Sequence, residues 1–102
     1  MQSRIQIAAD HPCFAGHFPK FPVLPGALLL DETLRAVEQA RGLDLTQWHI
    51  ASAKFLDVVR PGDCLRVQHE AVSAELIRFT VHVENRKVAS GTLRSAARNA
   101  GT

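Results

Sequence analysis

Four of the five prolines fall between residues 10 and 25, immediately ahead of the only stretch with a helical apolar pattern. This arrangement allows one long irregular loop, one helix, and whatever the remaining residues can form. From Gly26 to about Arg41 the helix reading rests on Ala27, Leu30, Leu34 and Val37 as one stripe, with Gly42 as its stop. Leu28 and Leu29 lie off that stripe, so the first turns read as apolar all round. Such a helix is expected to be wrapped on more than one side, by a sheet and by a partner subunit.

Strand patterns occupy the rest. Ile5 and Ile7 alternate with polar neighbours at the start of the chain. Trp48 to Val59 is apolar-rich and runs into Arg60-Pro61-Gly62-Asp63, a strong turn signal. Cys64 to Ser73 follows. Ile77, Phe79, Val81 and Val83 then alternate with Arg78, Thr80, His82 and Glu84. Asn85-Arg86 reads as a tight turn into a last strand from Lys87 to about Ser95, and Ala96 to Thr102 as a fraying tail. The order is strand, loop, helix, then four strands. It implies an α+β domain, an antiparallel sheet against one central helix, over residues 1–102.

Composition narrows the function classes. The formal charge is only +2, and no run of arginines alternates with aromatics, so nucleic-acid binding has little support. Two cysteines, Cys13 and Cys64, do not make a disulfide framework. No apolar run approaches the roughly 20 residues of a membrane helix, and no leader pattern precedes Ile5. The expectation is a cytoplasmic protein that binds neither nucleic acid nor membrane.

The chemistry-bearing residues concentrate between Gly16 and Asp31, in the order Gly-His-Phe-Pro-Lys-Phe-Pro-Val-Leu-Pro-Gly-Ala-Leu-Leu-Leu-Asp. His17 sits in the proline-stiffened loop, and Asp31 in the second turn of the helix. Pro25-Gly26 opens that helix and leaves backbone N–H groups unpaired at its start. A base, an acid and an anion-stabilising helix end are the parts needed to remove a proton beside a carbonyl.

This stretch resembles the 3-hydroxyacyl-[acyl-carrier-protein] dehydratases of fatty-acid synthesis, whose pattern is roughly Gly-His-Phe-Pro-x-x-Pro-x-x-Pro-Gly-x-Leu-x-x-Glu. His17 takes the catalytic histidine's position and Asp31 the carboxylate's; the broad-specificity FabZ type has Glu there, the dehydratase–isomerase FabA type Asp. Phe55 with Val58-Val59-Arg60-Pro61-Gly62-Asp63 is a second, weaker match. Lys20 stands where the family usually has Gly, and Arg35 where Gln is common.

The resemblance implies a hot-dog fold and loss of water from a 3-hydroxyacyl thioester, with no cofactor and no metal. His17 would be the base, the Gly26 N–H the donor to the thioester oxygen, and Asp31 the group that protonates or orients the departing hydroxyl. Acting as an acid, Asp31 would need a raised pKa, which the apolar surroundings of Leu28, Leu29 and Leu30 are expected to provide. Gly16, Phe18, Phe21, Pro25 and Leu28 complete the substrate-binding set. Phe14, Phe18, Phe21 and the leucines are expected to line an acyl tunnel. The implied partner is acyl carrier protein bearing the 3-hydroxyacyl group. The implied assembly is a homodimer, or a mixed dimer, in which the histidine of one subunit faces the carboxylate of the other.

Plainer readings stand beside these. His17 can bond a loop carbonyl, Gly26 can be a helix-start residue only, and Asp31 can pair with Arg35 at i,i+4. His11, His49, His69 and His82 read as surface or strand residues. His11, Cys13 and His17 are too few for a zinc site, and Cys13 lacks a defined base for nucleophilic work. Rival functions are a hot-dog acyl thioesterase, in which Asp31 activates water, and a non-catalytic carrier-protein-binding subunit. The (R)-specific enoyl-CoA hydratases place Asp before His in one short motif, which this chain lacks.

Overall fold

The computed structural model describes residues 1–10 and 23–95. Strand β1 is Gln2–Gln6, helix α1 Gly26–Arg41, and the later strands are β2 Trp48–Phe55, β3 Cys64–Ser73, β4 Leu76–Val83 and β5 Arg86–Ser95. A single 3-10 turn, Leu45–Gln47, precedes β2; Asp44 starts it by accepting the Thr46 N–H at 3.0 Å. The strands form one antiparallel sheet in the order β1-β3-β4-β5-β2. This is the expected α+β hot-dog arrangement, with the helix laid on one face of the sheet.

Alternation sets that face. Leu65 and Val67 on β3, Ile77, Phe79 and Val81 on β4, and Ala89 and Leu93 on β5 are all buried, and they join Leu29 and Val37 of the helix in one core. The helical stripe differs from the expected one. Leu29, Thr33 and Val37 face inward, while Ala27 is exposed and Leu30 and Leu34 pack at the flanks. A fully buried threonine can occupy the middle of that stripe because its Oγ1–H donates to the Leu29 carbonyl at 2.8 Å. The helix ends as expected, at Gly42 with φ 64°, where the Leu43 N–H returns to the Glu38 carbonyl at 3.2 Å.

Two strand boundaries shift. β2 stops at Phe55 rather than Val59, because the N–H groups of Leu56 and Asp57 both turn to the Val88 carbonyl, at 2.9 and 3.4 Å. Val88 is the extra residue of a bulge in β5, where Val81 faces Ala89 but His82 faces Lys87. The last hairpin turns on Glu84-Asn85 rather than Asn85-Arg86, because Val83 and Arg86 pair, and Glu84 adopts φ 54°. The Arg60-Pro61-Gly62-Asp63 turn is present as expected. Gly62 takes φ 85°, and the Asp63 N–H meets the Arg60 carbonyl at 3.1 Å.

His69, read as a strand residue, is on β3 but 3% exposed. Arg41 at the end of the helix donates Nε–H to its Nδ1 at 2.8 Å, so the ring is neutral, with Nε2 directed at Ser3 Oγ, 3.4 Å away. Burial, then Arg41 and the N-terminal ammonium, hold His69 below the usual histidine range. His82 is lowered as well, by burial and then by Arg66 and Lys87. The unfolded chain therefore takes up these protons first as pH falls. Stability should decline below the ordinary histidine range of about 6.5 and level off once the folded rings titrate. Urea denaturation between pH 7.5 and 5 should show the decline, and His69→Gln should reduce it.

Gly91 supplies a second test. A Cβ there would collide with the Ser52 carbonyl and lie 2.6 Å from Phe79 Cζ in the middle of the core. Gly91→Ala should cost about 1–3 kcal/mol through this overpacking, read from the denaturation midpoint.

Candidate active site

The start of α1 is held in place from a distance. Arg86, at the head of β5, pairs with Asp57 at 2.9 Å and with Asp63 at 3.8 Å, and its Nη1 donates to the Val58 carbonyl at 3.2 Å. The Arg86 hydrogen bond is the main reason the Asp57 carboxyl lies below the usual carboxylate range. The segment so held presents the Val59 carbonyl to the Leu24 N–H at 2.7 Å, and both residues are buried. Leu24 thereby fixes where Pro25 turns the chain into the helix.

Pro25 caps the helix with φ −58° and ψ 144°, and no side chain assists it. Its carbonyl accepts from the N–H groups of Leu28 and Leu29, each at 3.0 Å. The N–H groups of Gly26 and Ala27 meet no acceptor among the described residues. The first turn holds no acidic residue to offset the positive end of the helix dipole. The helix start can thus receive an external oxygen carrying negative charge.

Gly26 is not in the left-handed region, so its value lies in close approach. A Cβ on it would stand 3.0–3.3 Å from Cζ, Cε1 and Cε2 of Phe55. Phe55 ends β2 and is itself half exposed. Its ring is the wall beside the Gly26 backbone, a feature sequence reasoning did not assign to the site. The residues are 29 apart, and only the pairing of β2 at the sheet edge joins them.

Asp31 lies elsewhere on the helix. Five residues at about 100° each carry it roughly 140° around the axis from Gly26. Its side chain is 58% exposed and pairs with Arg35 at 3.0 Å. The apolar surround expected from Leu28, Leu29 and Leu30 is not supplied within one chain, because Leu29 points into the core while Asp31 points out. Leu28 is half buried against the core, and Pro25 is exposed. His17, Gly16, Phe18 and Phe21, with Phe14, Lys20 and Cys13, lie outside the described residues.

An apolar patch borders the helix start. Ile50 and Phe55 of β2, with Leu56 and Val58 just after it, are 38–50% exposed. The apolar hollow between the helix and β2, at Leu34, Trp48, Ile50 and Leu93, is only about 30 Å³, too small to be the expected acyl tunnel. Among the described residues no three His, Cys, Asp or Glu side chains are grouped to hold a metal, and no helix is long and apolar enough to cross a membrane.

Comparison with known proteins places this geometry. The model of the ApeI-like family, described as ApeI dehydratase, matches residues 1–92. The chain belongs to the ApeI-like dehydratase family. It is 30% identical over 105 residues to the 3-hydroxyacyl-[acyl-carrier-protein] dehydratase FabZ of Hydrogenobaculum, covering 90% of this chain and 71% of that one. In fold, this dehydratase-family chain is similar to the dehydratase heterocomplex ApeI:P from Xenorhabdus doucetiae. The TM-score is 0.71 at 22% identity, over 91% of this chain and 83% of that one. It is also similar to the F36A mutant of the fluoroacetyl-CoA-specific thioesterase FlK, with TM-score 0.66 at 17% identity over 99% and 94%. At these identities the structural likeness shows the fold alone. The dehydratase resemblance carried by residues 16–31 and 55–63 is borne out at the level of family.

Gly26→Ala separates close approach from helix stability. Alanine favours the helix by up to about 1 kcal/mol, and the half-exposed Phe55 ring can yield, so the melting temperature should change little. Binding of a thioester at the helix start should weaken clearly, as measured with a non-hydrolysable acyl-thioester analogue.

Proposed function

We propose that this protein removes water from 3-hydroxyacyl thioesters carried on acyl carrier protein, giving trans-2-enoyl thioesters for fatty-acid or related lipid synthesis. The observation that carries the reading is the Gly26 N–H, without an acceptor among the described residues, at a helix start with no acidic residue in its first turn, within a chain of a dehydratase family. The relatives named 3-hydroxyacyl-[acyl-carrier-protein] dehydratase support the substrate class.

In this mechanism neutral His17 takes the proton from the carbon beside the thioester carbonyl. The electron pair left behind spreads onto the carbonyl oxygen, where the Gly26 N–H and the helix dipole stabilise it. One donor of this kind is worth about 3 kcal/mol of barrier. The pair then forms the new carbon–carbon double bond as the hydroxyl leaves the next carbon. Asp31 directs a proton onto that hydroxyl, so it departs as water. Pro25 and Leu28 border the Gly26 backbone, and Gly16, Phe18 and Phe21 complete the substrate surface.

Asp31 would reach this site from a second copy of the chain. Two features support that arrangement: the outward direction of Asp31, and the edge position of β2 with its exposed apolar residues. Pairing of β2 edges would extend the sheet, cover Ile50 and Phe55, and exclude water from both carboxylates. The partner contact thus supplies the desolvation that Leu28, Leu29 and Leu30 do not.

Purified protein incubated with 3-hydroxyacyl-carrier proteins should yield products lighter by one water, followed by mass spectrometry. His17→Ala and Asp31→Asn should each lower the rate about a hundredfold or more. Mixing the two variants under subunit exchange should restore part of the activity, because one site of each mixed dimer keeps both residues. No restoration would rule out the shared site. Release of a bare carrier thiol would replace the dehydratase reading with a thioesterase.

A further inference from the structure

On the sheet face turned away from α1, four residues from four adjacent strands stand in one cross-strand row. Arg4 on β1 faces Arg66 on β3, Arg66 faces His82 on β4, and His82 faces Lys87 on β5. Their neighbours Ile5, Leu65, Val81 and Val88 turn inward, so the four point outward together. Like charges directly opposite across strands repel and destabilise the pairing. Among the described residues no carboxylate lies within ion-pair distance of Arg4, Arg66 or Lys87.

Relief of that repulsion is incomplete within the chain. Among the described residues Arg66 finds only the Glu84 backbone carbonyl, at 3.3 Å. The nearby carboxylate Asp63 is taken up by Arg86 and by the Arg60 N–H at 2.8 Å. His82 is lowered by burial and then by Arg66 and Lys87, the two cations that flank it. Its buried Nδ1 has no hydrogen-bond partner among the described residues. Beside the row, a hollow of about 320 Å³ is bordered by Arg4, Arg66, Asp63 and Glu84.

The row belongs to a strongly basic face. Arg4, Lys54, Arg66, Arg78, Lys87 and Arg94 all point outward from the sheet, against one carboxylate, Glu70, which pairs with Arg78. Six cations and one anion leave a surplus of five on this face, whereas the whole chain carries +2. The rest of the molecule is therefore net negative. Charge is sorted to one side rather than dispersed, with the turn acids Asp63, Glu75 and Glu84 at the margins.

We propose that the Arg4–Arg66–His82–Lys87 row is a docking surface for an acidic helix of a protein partner. Adjacent strands lie about 4.8 Å apart, so the row sets cations on β1, β3 and β5 around His82 of β4 over roughly 14 Å. A helix laid across the strands repeats every 5.4 Å and presents carboxylates at i, i+4 and i+7 in nearly the same step. Among the described residues the face shows no Phe, Tyr or Trp on which bases would stack, which favours a protein over single-stranded nucleic acid. The inference does not rest on the proposed reaction, since the row and the Gly26 site are on opposite faces of the sheet.

The test uses the full chain and a fluorescent alanine-rich helical peptide with three glutamates on one face, in low salt. A peptide of equal composition with its glutamates dispersed around the helix is the comparison. The one-faced peptide should bind more tightly and should shift the His82 ring resonances. Arg66→Gln/Lys87→Gln should weaken it about tenfold more than Lys54→Gln/Arg94→Gln, which removes the same charge. Both doubles alter exposed or half-exposed side chains, and the first relieves repulsion, so its melting temperature should not fall. Equal binding of the two peptides, equal loss in the two doubles, an unmoved His82, or tighter binding of a short DNA duplex would each overturn the proposal.

Discussion

Five strands about 4.8 Å apart make an inner sheet face roughly 20 Å wide, and a single helix about 10 Å across covers only half of it. In this protein α1 lies over the β1–β3 side. The other end of the face, at β2, keeps Ile50 and Phe55 partly in solvent. Among the described residues no second long helix covers it. An uncovered apolar edge of this kind is an invitation to association, and the edge position of β2 leaves its ladder groups free to receive another strand. The exposed Phe55 is also the wall of the candidate site, so the open apolar edge and that site meet at one place.

The helix start owes its position to contacts far away in sequence. Arg86 organises the segment after β2, Val59 anchors Leu24, and Pro25 then turns the chain into a helix whose first two N–H groups meet no acceptor among the described residues. Each link is an ordinary interaction, and the exposed ion pairs among them are individually worth little. Their effect is geometric: they hold an unsatisfied, uncompensated helix end still. Preorganised donors of this sort need no rearrangement when charge develops opposite them.

The two faces of the sheet carry different physics. The inner face is a dry core, with His69 kept neutral between Arg41 and Ser3. The outer face gathers half of the chain's twelve lysines and arginines, and its worst repulsion falls where three strands place cations in register with His82. Nothing in the core requires that placement, since outward positions of a sheet tolerate almost any polar residue.

Much of the fold was legible because periodicity is local. Alternation at Ile77, Phe79, Val81 and Val83 marked β4, and Gly42 marked the end of α1. The turn at Pro61-Gly62 was equally plain. The misreadings were of register and boundary. The helical stripe centres on Leu29, Thr33 and Val37 because a hydrogen bond lets threonine be buried, and β2 ends early because a bulge at Val88 draws away its last N–H groups. For the site, Pro25, Gly26 and Asp31 could be read from sequence as a helix opening and a carboxylate. Family membership followed from the same motif. The Phe55 contact and the Arg86 clamp had no local signal, whereas the i,i+4 spacing of Asp31 and Arg35 did mark the exposed pair that forms. Sequence alone determined which elements form, because propensity and alternation act between near neighbours. Only tertiary structure decided which side chains meet and which face of the helix stays exposed, because those depend on strand pairing and on how little of the sheet one helix can cover.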